Sequence, residues 1–232
     1  MSAATEPRRV DDDAGLANLV SRGAATLPLP LTDSQVERLV AFVRLIARWN
    51  ATYNLTAIRD PQDMVVQHIL DCLAATAALV RRRGDGTGER LLDVGSGAGL
   101  PGVVVAIAST ERDVLCVDSV GKKAAFITQA AGALGLKNVS AVQGRVESLA
   151  RGRFDIVASR AFASLADFIA ASRPLIKPWE GTWMAMKGKI PQAELAELAG
   201  LEFHVEPLQV PGLNAERCLV WIDSPQEAST RL

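Results

Sequence analysis

LLDVGSGAGLPG, Leu91 to Gly102, is the stretch whose reading decides the fold. Leu91, Leu92 and Val94 form a short apolar run of the kind that becomes a buried parallel strand. Glycines follow at 95, 97, 99 and 102, and the VVVAIA run from Val103 predicts a helix packing back on the sheet. Repeated glycines directly after a strand let a ligand approach the backbone where any Cβ would block it. The helix that follows is expected to aim free N–H groups and its positive dipole end at that ligand. Pro101 suits its first turn, where a missing donor costs nothing. The stretch reads as a binding loop for a small ligand with an anionic end.

Two ligand patterns overlap here. Gly97-x-Gly99-x-x-Gly102 matches the dinucleotide fingerprint, with Asp118 19 residues after Gly99 as the ribose-binding acid. Asp93-x-Gly95-x-Gly97-x-Gly99 matches the S-adenosylmethionine (AdoMet) loop of class I methyltransferases. The glycines alone do not choose between an NAD-dependent oxidoreductase and a methyltransferase.

At 232 residues, 49% hydrophobic and 22% charged, the chain suits one α/β domain with an extension. No apolar run reads as a membrane span, no signal-peptide core is seen, and no membrane partner is expected. Cys72, Cys116 and Cys218 sit in apolar runs without metal spacing and read as buried packing residues of a reducing cytosol. With two distant histidines, no metal site is expected. The net charge of −1 hides an asymmetry: residues 119–190 carry 11 basic against 4 acidic groups. A positive middle between negative ends fits a polyanionic partner, or scattered surface lysines.

Residues 1–30, with PRR, DDD and PLP and little periodicity, are expected to form a poorly ordered tail with a short helix near Leu16–Val20. Thr32-x-x-Gln35 fits a capping box ahead of Val36, Leu39, Val40, Val43, Ile46 and Trp49 at helical spacing. Asp60-Pro61 opens a second helix running to Arg81–Arg83, on which His68 and Asp71 share a face. Residues 31–88 are thus expected to be a helical cap, with Gly84–Gly88 as linker, on an α/β domain spanning 89–232. Strands are predicted at 91–94, 114–118, 139–142, 155–159 and 182–187, and helices at about 102–109, 121–134, 165–176 and 191–199. Glu202–Leu208 and Arg217–Asp223 have no helix between them and predict an antiparallel hairpin at the sheet edge. A doubly wound parallel sheet closing in such a hairpin is the Rossmann-like class I methyltransferase layout, and favours AdoMet.

Several segments together carry a family resemblance: WNATYNLTAIRDP (49–61), HILDCL (68–73), DVGSGAGLPG (93–102), VDSVGKKAAFI (117–127), RVE (145–147), SRAFASL (159–165), KGK (187–189) and RCLV (217–220). From about Leu31 to Asp223 the chain resembles the RsmG (GidB) family, methyltransferases that modify guanine N7 in small-subunit ribosomal RNA. Cys72 is a minor departure, serine being usual after HILD. The resemblance implies AdoMet as cofactor and the guanine at position 527 of 16S rRNA as target. It also implies a cytoplasmic bacterial enzyme acting on the small ribosomal subunit or an assembly intermediate; a monomer is expected.

Carried over by motif, the cofactor site comprises Gly95, Gly97, Gly99, Leu100, Asp118, Val146, Glu147 and Arg160. Asp118 ends the second strand, where an acid accepts ribose hydroxyls or caps the next helix, and Val146 and Glu147 follow the third and would hold the adenine. Arg160 stands at the carboxyl end of the fourth strand, where amino-methylating enzymes carry a proline-rich acidic motif. Ser-Arg-Ala there argues against adenine N6 methylation, and a guanidinium fork can reach phosphate or guanine O6. Lys122, Lys123, Arg145, Lys187 and Lys189, with Arg151 and Arg153, are expected to form a phosphate-binding rim. Guanine N7 is unprotonated at neutral pH, so transfer needs no general base. No catalytic residue is fixed by the sequence; Asn54, His68 and Arg160 are the candidates, with Trp49, Asn50, Tyr53 and Asp71 shaping a base pocket. A non-catalytic AdoMet- and RNA-binding assembly factor stays open as an alternative.

Overall fold

Alternation of apolar side chains along each strand decides how the layers stack. Leu91, Ala158, Met184 and Trp221 face one core, while Leu92, Val157, Trp183 and Ile222, each one position along, face the other. The computed structural model describes residues 7–149, 154–198 and 200–225. Among these residues seven strands form one sheet: β1 (Arg90–Val94), β2 (Asp113–Asp118), β3 (Val139–Gln143), β4 (Ile156–Arg160), β5 (Thr182–Lys187), β6 (Phe203–Pro207) and β7 (Cys218–Asp223). Their order is β3-β2-β1-β4-β5-β7-β6. The first five are parallel, and β7 inserts antiparallel between β5 and β6, pairing Lys187 with Cys218. This is the doubly wound sheet with a closing hairpin that the sequence predicts.

Helices α1 (Pro7–Ala24), α2 (Asp33–Tyr53), α3 (Pro61–Met64), α4 (Asp71–Arg83), α5 (Gly102–Ala108) and α6 (Gly121–Ala133) line one face. On the other lie α7 (Leu165–Ser172) and α8 (Gln192–Ala196). The Thr32–Gln35 capping box opens α2, whose end is capped by Asn54 in the left-handed region at φ 49°. α3 and α4 are joined by one π-helical segment, Val65–Leu70, which carries His68. Such wide turns recur at functional sites.

Several expectations are corrected. Residues 7–24 are a helix, with Leu16 and Val20 fully buried in the same core as Leu91 and Val103, rather than a poorly ordered tail. The predicted 165–176 helix stops at Ser172 and continues as a 3₁₀ turn, Arg173–Leu175, because Pro174 cannot extend an α-helix. α8 is shorter than the predicted 191–199. Pro101 sits just outside α5, after a cis Leu100–Pro101 bond, and not inside its first turn. The helix Pro61–Arg83 is long and apolar enough to cross a membrane, contrary to the sequence reading, yet 78% of its most apolar window is buried inside the fold.

Candidate active site at the carboxyl edge of the sheet

β1 and β4 are neighbours whose onward connections leave to opposite faces, which opens a crevice at their carboxyl ends. The Ser159 hydroxyl donates to the Val94 carbonyl at 3.0 Å and ties the two ends together. The glycine loop leaves β1 here. Gly95, Gly97 and Gly99 have φ of 69°, 57° and 79°, a region L side chains rarely adopt. A Cβ at Gly95 would meet nothing within 4 Å, and one at Gly97 only the Gly95 carbonyl at 3.9 Å. These two leave an open cradle. A Cβ at Gly99 would lie 2.6 Å from Val103 Cγ2, and one at Gly102 2.6 Å from Cys116 Sγ, so these two serve helix–sheet packing.

The helix start does not offer the free donors that the sequence predicts. The Gly102 N–H donates to Asp93 Oδ2 at 2.8 Å and the Val103 N–H to the Gly99 carbonyl at 2.8 Å. The Gly95 N–H reaches the Val117 carbonyl at 2.9 Å. Internal bonds thus rigidify the loop, and its contribution to a ligand is space more than N–H groups. Asp93 is completely buried, and its Oδ1 has no hydrogen-bond partner among the described residues. Burial pushes its carboxyl up to about 7 against the opposing bond from Gly102 and the charge of Arg160. The sequence reading gave Asp93 no role beyond its place in the motif.

Asp118 is buried at the end of β2 and accepts from the Gly97 N–H at 2.9 Å and the Val120 N–H at 2.9 Å. It therefore braces the glycine loop and caps the following turn, with one lone pair left on each oxygen. Leu100 and Val146 are buried, whereas Glu147 is exposed on the 3₁₀ turn after β3.

Arg160 joins the two layers. Its Nη1 lies 3.4 Å from the Gln67 carbonyl, 3.3 Å from His68 Nδ1 and 3.5 Å from Asp71 Oδ2. Asp71 Oδ1 in turn accepts from Arg217 Nε at 3.1 Å. Burial raises the Asp71 carboxyl, and the two guanidiniums partly offset the shift. His68 and Asp71 thus share a face as predicted, but they meet through Arg160. His68 Nε2 lies 2.8 Å from Thr56 Oγ1. Burial, then Arg160, lower His68 to about 4, so the imidazole is neutral at physiological pH. Buried Asn50 donates to the Ile58 carbonyl at 2.9 Å and accepts from the Thr56 N–H at 3.0 Å, fixing the loop that presents Thr56.

The remaining candidates separate. Asn54 caps α2, is exposed, and its Oδ1 accepts from Arg59 at 2.8 Å, apart from the Arg160 contacts. Trp49 lies tilted against Tyr53 at 4.9 Å and meets Phe126 edge-on at 5.3 Å, so its half-buried ring packs against the core. Lys187 donates to both oxygens of Glu194, at 3.0 and 2.7 Å, and its charge is spent within the fold. Lys123 is 3.8 Å from Asp118. Lys122, Arg145 and Lys189 are exposed; Arg151 and Arg153 lie outside the described residues. Arg217 is the site residue that the sequence reading left without a role. The signal was its place at the start of an antiparallel strand, which brings it to the carboxyl edge of the parallel ones.

Comparison with known proteins decides the family. Residues 35–220 match the model of GidB, the rRNA small subunit methyltransferase G family. The chain belongs to this family. Similar relatives include ribosomal RNA small subunit methyltransferase G of Acidovorax ebreus (strain TPSY), 54% identical over 92% of this chain and 97% of the relative. The protein of the same name from Methylibium petroleiphilum is 54% identical over 91% and 96%. Among solved structures, a SAM-dependent methyltransferase from Aquifex aeolicus covers 70% of this chain and 97% of its own at 18% identity and TM-score 0.51. The Thermus thermophilus 16S rRNA N2 G1207 methyltransferase, solved with AdoMet and guanosine, covers 66% and 43% at 21% identity and TM-score 0.50. At these identities the structures show a shared fold.

The site suits AdoMet on its own chemistry. An open glycine cradle, an orphaned buried carboxylate oxygen at Asp93, an acid ending β2 and a guanidinium ending β4 meet the needs of a molecule with amino, carboxylate and ribose groups. Among the described residues no cluster of His, Cys, Asp and Glu could hold a metal ion.

Proposed function

We propose that this chain methylates N7 of a guanine in 16S rRNA, acting on the small ribosomal subunit or its assembly intermediate in the bacterial cytoplasm. Membership in the rRNA small subunit methyltransferase G family makes it an AdoMet-dependent rRNA methyltransferase. Bound in the glycine cradle, AdoMet supplies an electrophilic methyl group on a sulfonium. Gly95 and Gly97 give it room, Gly99 and Leu100 shape the loop around it, Asp118 takes ribose hydroxyls, Val146 and Glu147 border the adenine, and Arg160 holds the anionic end.

The observation that carries the N7 reading is the tip of β4. It presents a guanidinium, and the imidazole beside it, lowered to about 4, is a weak base hydrogen-bonded into the scaffold. An exocyclic amine must lose a proton on methylation, whereas N7 offers a lone pair and needs no proton removed. The chain's contribution is then positioning, worth up to about 7–11 kcal/mol when the reacting atoms are well aligned. Arg160, held on Nη1 by His68 and Asp71, keeps further N–H donors for the cofactor or the base. The exposed cations Lys122, Arg145 and Lys189 border the same edge and suit an RNA backbone.

The test is transfer from labelled AdoMet to small subunits and to naked 16S rRNA lacking the modification, followed by nucleoside mass spectrometry. The expected product is 7-methylguanosine at one site. Any other methylated nucleoside contradicts the N7 assignment, and binding of AdoMet without product on either substrate points to a non-catalytic factor.

A further inference from the structure

A surface groove of about 830 Å³ runs between the loop after β5 and the loop joining β6 to β7. It meets the cofactor site only through Arg217, which pairs with Asp71 beside Arg160. One wall carries Lys189 and Ile190, the other Leu208, Leu213 and Arg217. Ile190 is 46% exposed, an unusual position for a large aliphatic side chain, and Leu208 and Leu213 are half-buried opposite it. Lys189 is exposed and makes no ion pair among the described residues, unlike its neighbour Lys187. Two lining cations thus flank these aliphatic side chains, with Glu216 as the lining carboxylate and Arg217 Nε already paired to Asp71 at 3.1 Å.

Its place follows from strand register. Arg160 pairs with Met186 on β5, and Lys187 pairs with Cys218 on β7. Each strand-to-strand step is about 4.8 Å, so the groove begins about 10 Å from Arg160 along the carboxyl edge. We infer that this groove is a binding subsite for the nucleotide next to the target guanine, its base lying on the aliphatic wall and its phosphate between Lys189 and Arg217. The inference rests on the rRNA methyltransferase reading. Apolar surface flanked by cations suits a single-stranded nucleotide, because every base has a flat apolar face and every linkage a charge. The groove is also continuous with the edge at which the target base must stand.

The experiment is steady-state methyl transfer to small subunits by K189E, I190S and, as a control at the opposite sheet edge, K137E, together with AdoMet affinity by calorimetry. Both groove residues are exposed, so the variants should fold. The expected result is an rRNA KM raised about tenfold by K189E and severalfold by I190S, with AdoMet affinity unchanged and K137E at wild-type values. Unchanged KM in both groove variants, or an equal rise in K137E, overturns the subsite. If the wild-type protein methylates no rRNA, the parent reading fails instead, and that outcome is separable because it needs no variant.

Discussion

Asp93 and His68 are buried groups with opposite pH signatures. An unfolded aspartate titrates near 3.9, and burial raises Asp93 to about 7. Between these values the folded state binds more protons, so the Asp93 contribution to stability is complete below the lower value and lost as pH rises through the upper one. His68 is lowered from 6.5 to about 4, so its contribution is complete above 6.5 and lost as pH falls through 4. The two slopes oppose each other in the native protein. Asp93→Asn removes one of them, and its urea midpoint relative to wild type should climb between about pH 5 and pH 7.5. A difference independent of pH would contradict the Asp93 assignment. Neither shift was legible in the sequence, since burial and the approach of Arg160 are created by the fold.

At the scale of elements, the four glycines look alike in sequence but do different work. Gly97→Ala places a methyl in open space at a positive φ and should weaken AdoMet binding, read by calorimetry, with about 1 kcal/mol lost in stability. Gly102→Ala drives a methyl against Cys116 and Asp93 and should cost about 1–3 kcal/mol in stability, measured by denaturant unfolding. Equal effects of the two on affinity and stability would sink this division. The loop between α2 and α3 depends on Asn50. Asn50→Ala leaves the Thr56 N–H and the Ile58 carbonyl without their partner and should destabilise by about 1–3 kcal/mol in the same measurement. The strand–glycine–helix unit was legible because its signals are local. The pairing of Lys187 with Glu194 was not, because Lys187 ends a strand and Glu194 belongs to a separate helix.

Across the whole molecule, one core runs from α1 through α2 and the π-helical segment to the sheet. Leu16 and Val20 are spaced for one helix face, but the charged residues before them masked the amphipathic pattern. Leu16→Ala should therefore cost about 2–5 kcal/mol, measured by urea unfolding, where an unpacked tail would show no loss. The sheet order and the closing hairpin were readable from strand–helix alternation, which encodes topology. The carboxyl-edge cluster was readable only in part. Arg160 and His68 stood in motifs, while the bridging of Asp71 to Arg160 and Arg217 needs the helix layer laid across the strand ends.

Methyl transfer is expected where the glycine cradle meets Arg160 at the end of β4. Single-turnover methyl transfer to small subunits by Arg160→Ala, with unfolding checked in parallel, tests it most directly. Removal of a positioning guanidinium should slow transfer at least about 100-fold, equivalent to about 2.7 kcal/mol, in a protein that still folds. Transfer at the wild-type rate by a folded Arg160→Ala protein would contradict this placement of the site.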